Sequence, residues 1–229
     1  MSVLMRLQRG VFFKALPLRQ LGMAPERTAA FQAEVERLAE ELEACAARPA
    51  ALSPGACDRH ETHRARACLA MAARRALQAS ELGAAHAEGL LVQAVGQGLG
   101  VQLSAEGEWE GAGNAATASN DWMMKLSLWM SRDREKMAQD LVERFRRDLG
   151  SAFEFERFEA AEHAPPSFRL GRCFYREFLH ENGGAELTPI FWAEHAAMFR
   201  AVEGFEFVGD YRMAMSCDFL FHGKPVLED

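Results

Sequence analysis

Two cysteines stand where regular elements change over or end, and a thiol so placed can act as a nucleophile. Cys173, in the run Arg172-Cys173-Phe174-Tyr175, falls where an alternating strand pattern hands over to a helical one. A helix N-terminus shifts a thiol toward thiolate, and the adjacent Arg172 adds positive charge. Cys217, in Met215-Ser216-Cys217-Asp218-Phe219, lies on the apolar face of its strand, with Asp218 and His222 on the other face. Local physics makes Cys173 the better nucleophile; for both thiols the plain alternative is an inert, packed side chain. His195 and Glu194, in the helix after Thr188-Pro189, offer a base and a carboxylate, or else a surface imidazole and a solvated acid. His60 and His63 sit three apart but lack two further ligands at suitable spacing, so no metal is expected. There is no GxGxxG, P-loop, HExxH or GxSxG pattern, and no cofactor is expected.

Five cysteines (Cys45, Cys57, Cys68, Cys173 and Cys217) make an odd set without any CxxC pair, which reads as reduced thiols in a reducing, cytoplasmic setting. A net charge of −7 argues against non-specific nucleic-acid binding. At 229 residues and 49% apolar composition the chain fits one large domain, two small ones being the alternative. Residues 1–25 carry Arg6, Arg9, Lys14 and Arg19 and no acid. That pattern suits either a basic first helix packed on the domain or a cleaved organellar presequence. Its apolar pieces are too short for a membrane span.

Around these candidates the periodicity sets out the elements. Pro25 opens a helix to about Arg48, with Phe31, Val35, Leu38 and Leu42 at helical spacing, and Pro49–Pro54 breaks it. Asp58 and Glu61 are spaced as a capping box for an Ala-rich helix over Arg59–Ala79, whose stripe is Leu69, Ala72, Ala73, Ala76 and Leu77. One further helix is expected over about Ala84–Gln97, then a surface loop at 104–119, then a helix from Trp122 to Leu149. Beyond Gly150 the period falls to two. Phe153 and Phe155 alternate with acids, and Phe168 and Leu170 flank Arg169. A short helix should run from near Cys173 to Asn182-Gly183-Gly184, and Thr188-Pro189 should cap a second through about Val202. Alternation over Phe205–Phe221 predicts a hairpin turning at Gly209-Asp210. The expected fold is α+β: an N-terminal helical layer (about 1–150) packed on a C-terminal antiparallel sheet (about 151–229) with two inserted helices.

At these segments the chain resembles the L-2-amino-thiazoline-4-carboxylic acid hydrolase family. The resemblance rests on residues 168–199, with Arg172-Cys173 and the Gly184–Pro189 turn, and on 205–222, ending in Cys217-Asp218-Phe219. A weaker similarity covers residues 58–79. The chain departs from the family where Cys-x-x-Asp often follows the Thr-Pro turn; here Trp192 and His195 stand. The resemblance implies hydrolytic opening of a cyclic amidine thioether to an N-carbamoyl-cysteine type product. Cys173 or Cys217 would supply the thiol, and Asp218 or His195 would handle protons. Arg172, Tyr175 and Trp192 would contact the substrate, Arg172 by gripping a carboxylate. The expected partner is a small-molecule substrate, with no nucleic acid and no membrane span, and a homo-oligomer is left open. The alternative is a non-enzymatic small-molecule-binding domain on the same fold.

Overall fold

The computed structural model describes residues 3–45, 60–103, 105, 109–111, 153–158, 167–193, 205–208 and 220–223. Helix α1 spans Val3–Ala15, α2 Pro25–Cys45 and α3 His60–Ala79. Pro25 at the first turn of α2 has no N–H to lose, and Phe31, Val35, Ala39 and Leu42 form its buried stripe. The basic first segment packs as a helix: Phe12 and Leu16 join the core, and Phe12 lies against Gly98, where an added Cβ would collide with its ring.

Helix α3 is the hub, in contact with α1, α2 and the helices that follow. The expected stripe is buried, but so is nearly everything from Ala65 to Ala73, on all sides of the helix. Alanine makes this possible, since its small side chain lets neighbouring helices approach from several directions with no rotamer entropy to lose.

The helix expected over Ala84–Gln97 is two helices, α4 (Glu81–Ala85) and α5 (Glu88–Gly98). Ser80 caps α4 by accepting from Leu82 N–H, and at the other end the His86 N–H closes on Leu82 O. His86 and Ala87 are extended, which breaks the helical ladder between them. The loop expected at 104–119 also needs correcting. Its residues Trp109–Gly111 form β2, which pairs antiparallel with β1 (Val101–Leu103). The buried Val101 ties that hairpin to the core. The helix expected over Trp122–Leu149 lies outside the described residues.

Beyond residue 150 the change of period is realised as strands. β3 (Phe153–Phe158), β4 (Ser167–Cys173), β5 (Phe205–Val208) and β6 (Leu220–Gly223) form an antiparallel sheet in the order β3-β4-β6-β5. The hairpin strands pair with Phe205 opposite Gly223 and Val208 opposite Leu220; the turn expected between them lies outside the described residues. Helix α6 (Phe174–Glu181) follows β4 directly. It stops in a Schellman turn, with Gly184 N–H on Leu179 O at 2.7 Å and Gly183 N–H on His180 O at 3.1 Å. Gly183 takes φ +73°, a conformation glycine adopts without steric cost. Thr188 is not an N-cap: a 3₁₀ turn over Ala185–Leu187 precedes it, Thr188 itself is helical (φ −55°, ψ −44°), and the helix (α7) is described over 188–193. The fold thus combines early helices with a late antiparallel sheet, and no helix among the described residues is long and apolar enough to cross a membrane.

Candidate functional site

Cys173 occupies the junction that its sequence position suggests. It is the last residue of β4, opposite Phe153 in β3, and the N-cap residue of α6 with an extended backbone (φ −132°, ψ 113°). The register between β3 and β4 slips by one residue just before it. Glu154 faces Arg172 while Phe155 faces Leu170, so Gly171 is the extra residue. Such a bulge re-aims the side chains beyond it.

Arg172 and Cys173 then diverge. The thiol is 2% exposed, whereas the Arg172 side chain is 50% exposed. The Arg172 guanidinium Nε donates to both Glu177 carboxylate oxygens at 3.1 Å, and Nη1 lies 3.7 Å from Glu154. The Glu177 hydrogen bonds, its charge and then Glu154 hold the guanidinium pKa above its ordinary value. Arg172 is therefore committed to two carboxylates on the outer side of the strand.

Tyr175 and Trp192, by contrast, are brought together. Tyr175 is 1% exposed, in the first turn of α6, and its ring stacks on Phe191 of α7 at 4.1 Å. Phe153 is the bridge, edge-on to Tyr175 at 5.7 Å and to Trp192 at 6.5 Å. Into this aromatic cluster α3 delivers His63, edge-on to Phe153 at 5.2 Å. His63 Nδ1 and the Tyr175 hydroxyl share a buried hydrogen bond of 2.5 Å. In the neutral pair the phenol donates to Nδ1 when Nε2 carries the ring proton. A short imidazole–phenol bond in a water-poor, aromatic setting is a route for moving a proton.

Sequence reasoning had weighed His63 only as a metal ligand beside His60. The signal that it is buried was present but faint. His63, Ala67 and Ala70 lie at helical spacing on one face of α3, which Leu77, seven residues beyond Ala70, continues. Cys217, Asp218 and His195 lie outside the described residues. Among the described residues no cluster of three or more His, Cys, Asp and Glu side chains could hold a metal ion.

The other described thiols differ from Cys173 and from each other. Cys45 is exposed; Cys68 is fully buried in α3, and its pKa is pushed up to about 12 by burial, with Glu43 adding and Arg64 opposing. Cys68 is thereby held as a thiol at neutral pH, so it is no nucleophile. Cys45 and Cys68 are free cysteines. Comparison of the chain with protein-family models, curated proteins and solved structures found no significant match.

Proposed function

We propose that the chain is a small-molecule hydrolase resembling the L-2-amino-thiazoline-4-carboxylic acid hydrolases, opening a thiazoline-type cyclic amidine. The observation that carries this reading is the buried His63–Tyr175 hydrogen bond two residues from the Cys173 thiol. A thiol, an imidazole and a phenol at the junction of β4 and α6 supply the groups that such a ring opening needs. In this reading the early helices cover one face of the four-stranded sheet, and the substrate lies between the two layers.

The chemistry follows from the electrophilic carbon between the ring nitrogen and sulfur. Cys173 thiolate adds to that carbon, the carbon–ring sulfur bond breaks, and the ring sulfur leaves as a thiolate that takes a proton. Water then adds to the same carbon, the bond to Cys173 breaks, and the product carries a ureido group and a free thiol. In the alternative course water attacks directly, with its proton passing to a base. His63, through Tyr175, His195 and Asp218 are the groups to carry protons; Cys217 is the second thiol. In this reading the aromatic rings of Tyr175 and Trp192 would contact the flat five-membered ring of the substrate. Trp192 in place of a cysteine shifts substrate preference.

A binding domain without catalysis is the second reading, and two observations favour it. Cys173 is 2% exposed, and His63 and Tyr175 satisfy one another, as core polar pairs do. Hydrolysis of the thiazoline carboxylate by wild type, Cys173→Ser, Cys217→Ser and Tyr175→Phe separates the two, with thermal melts to check folding. Loss of turnover in a folded Cys173→Ser protein supports covalent catalysis. Full turnover in both cysteine variants removes it, and an inactive wild type leaves the binding reading.

A further inference from the structure

Arg64 follows His63 on α3 and is as deeply buried, yet it is treated very differently. Its side chain is 6% exposed, and its one ion-pair partner among the described residues is Glu43 of α2, with Nη2 3.5 Å from Oε1. That separation is well beyond the roughly 2.7–2.9 Å of a charge-assisted hydrogen bond. Arg64 Nε is fully buried and has no hydrogen-bond partner among the described residues. A guanidinium has five N–H donors in a planar fork, and burying it without acceptors is costly.

The same helix shows how this fold treats an arginine with a purely structural task. Arg74, 13% exposed, donates to Glu88 at 2.7 Å and to Gln78 at 3.1 Å, and pairs through Nε with Glu186. Nε of each arginine lacks a hydrogen bond of its own, but among the described residues Arg74 is in contact with two carboxylates and an amide, whereas Arg64 has one carboxylate at 3.5 Å. The shortfall at Arg64 lies along its Nε edge, which matches two oxygens of a small oxyanion in a bidentate fork.

We infer that Arg64 is an anion-binding residue that takes a small carboxylate or phosphate on its Nε edge, with Glu43 as the built-in competitor. Glu43 can yield because its side chain is 16% exposed, more than Arg64, and stands off from the guanidinium rather than clasping it. The site is independent of the ring-opening chemistry: it binds an oxyanion whether or not the chain hydrolyses anything.

The test uses the full chain at neutral pH, with sodium acetate and sodium phosphate each compared with sodium chloride at matched ionic strength. Thermal midpoint and the ¹⁵N shift of the Arg64 Nε–H group are the two readouts. Acetate or phosphate should raise the midpoint saturably above the chloride control and move the Arg64 signal. A response to one anion alone supports the site and identifies which oxyanion it takes. Glu43→Gln should tighten binding, because the competing carboxylate is gone. Arg64→Lys keeps the charge but loses the fork, and should weaken binding roughly tenfold. Arg64→Met should abolish it. The inference is overturned if neither anion differs from chloride in wild type and Glu43→Gln. It is equally overturned if Arg64→Lys responds as wild type does, or if a saturable response leaves the Arg64 Nε–H signal unmoved.

Discussion

Two consecutive residues of α3 bury polar groups on different sides of the same helix, and the two sides follow opposite rules. On the side facing β3 and α6, His63 meets Tyr175 in a hydrogen bond of 2.5 Å, framed by Phe153. On the side facing α2, Arg64 has a carboxylate at 3.5 Å and a vacant Nε. The first pair can be neutral, so burial costs little once its hydrogen bond is made. The second is ionic, so burial without close contacts costs much more. Depth of burial is therefore a poor guide to what a polar side chain contributes; how completely its donors and acceptors are matched is the better one.

The comparison can be broken most severely at its aromatic frame. Phe153→Ala removes the ring that joins His63, Tyr175 and Trp192, and chemical denaturation should show a loss of about 3–5 kcal/mol. Tyr175→Phe keeps the packing but takes away the hydroxyl that His63 engages. Its cost should be about 1–3 kcal/mol by the same measurement, and a loss near zero would mean that the bond carries no structural weight.

Cys68, one turn beyond Arg64, gives a pH test of the ionic side. Its folded pKa is raised from 9.0 to about 12, so below pH 9 the thiol is protonated in both states and stability is unaffected. Above that the unfolded chain ionises first, and stability falls as pH rises toward 12. Between pH 8 and pH 10 wild type should lose about 1 kcal/mol more than Cys68→Ala, read as the difference between two urea-melt series. Arg172→Ala, which touches only partly exposed carboxylates, should shift stability by less than about 1 kcal/mol. If it abolished thiazoline turnover while leaving the melt unchanged, its role as a substrate clamp would be restored. The smallest effect is expected from Glu43→Gln combined with Arg64→Met. Replacing a loosely matched buried ion pair should leave the melting midpoint level or raise it, whereas removing the matched His63–Tyr175 bond lowers it.

The amino-acid sequence by itself determined the local matters. It placed α2 and α3 to within a few residues, through apolar spacing and Pro25. It located the change from helical to alternating period after Gly150, and it stopped α6 at Asn182-Gly183-Gly184. It also placed Cys173 at a strand-to-helix junction, because both periods are legible on either side of that residue. Each of these follows from the conformational preferences of neighbours along the chain. Other features were decided only by tertiary structure. The break between α4 and α5 falls at the extended His86 and Ala87, and β2 exists because Val101–Leu103 offers it a partner strand. Arg172 and Cys173, adjacent in sequence and both beyond the bulge at Gly171, differ in exposure, whereas Tyr175 and His63 meet across 112 residues. The physical reason is that periodicity reports which face of an element is buried but not which element buries it. That choice is made by packing, when α3 is enclosed from several directions at once and each of its faces acquires a different neighbour.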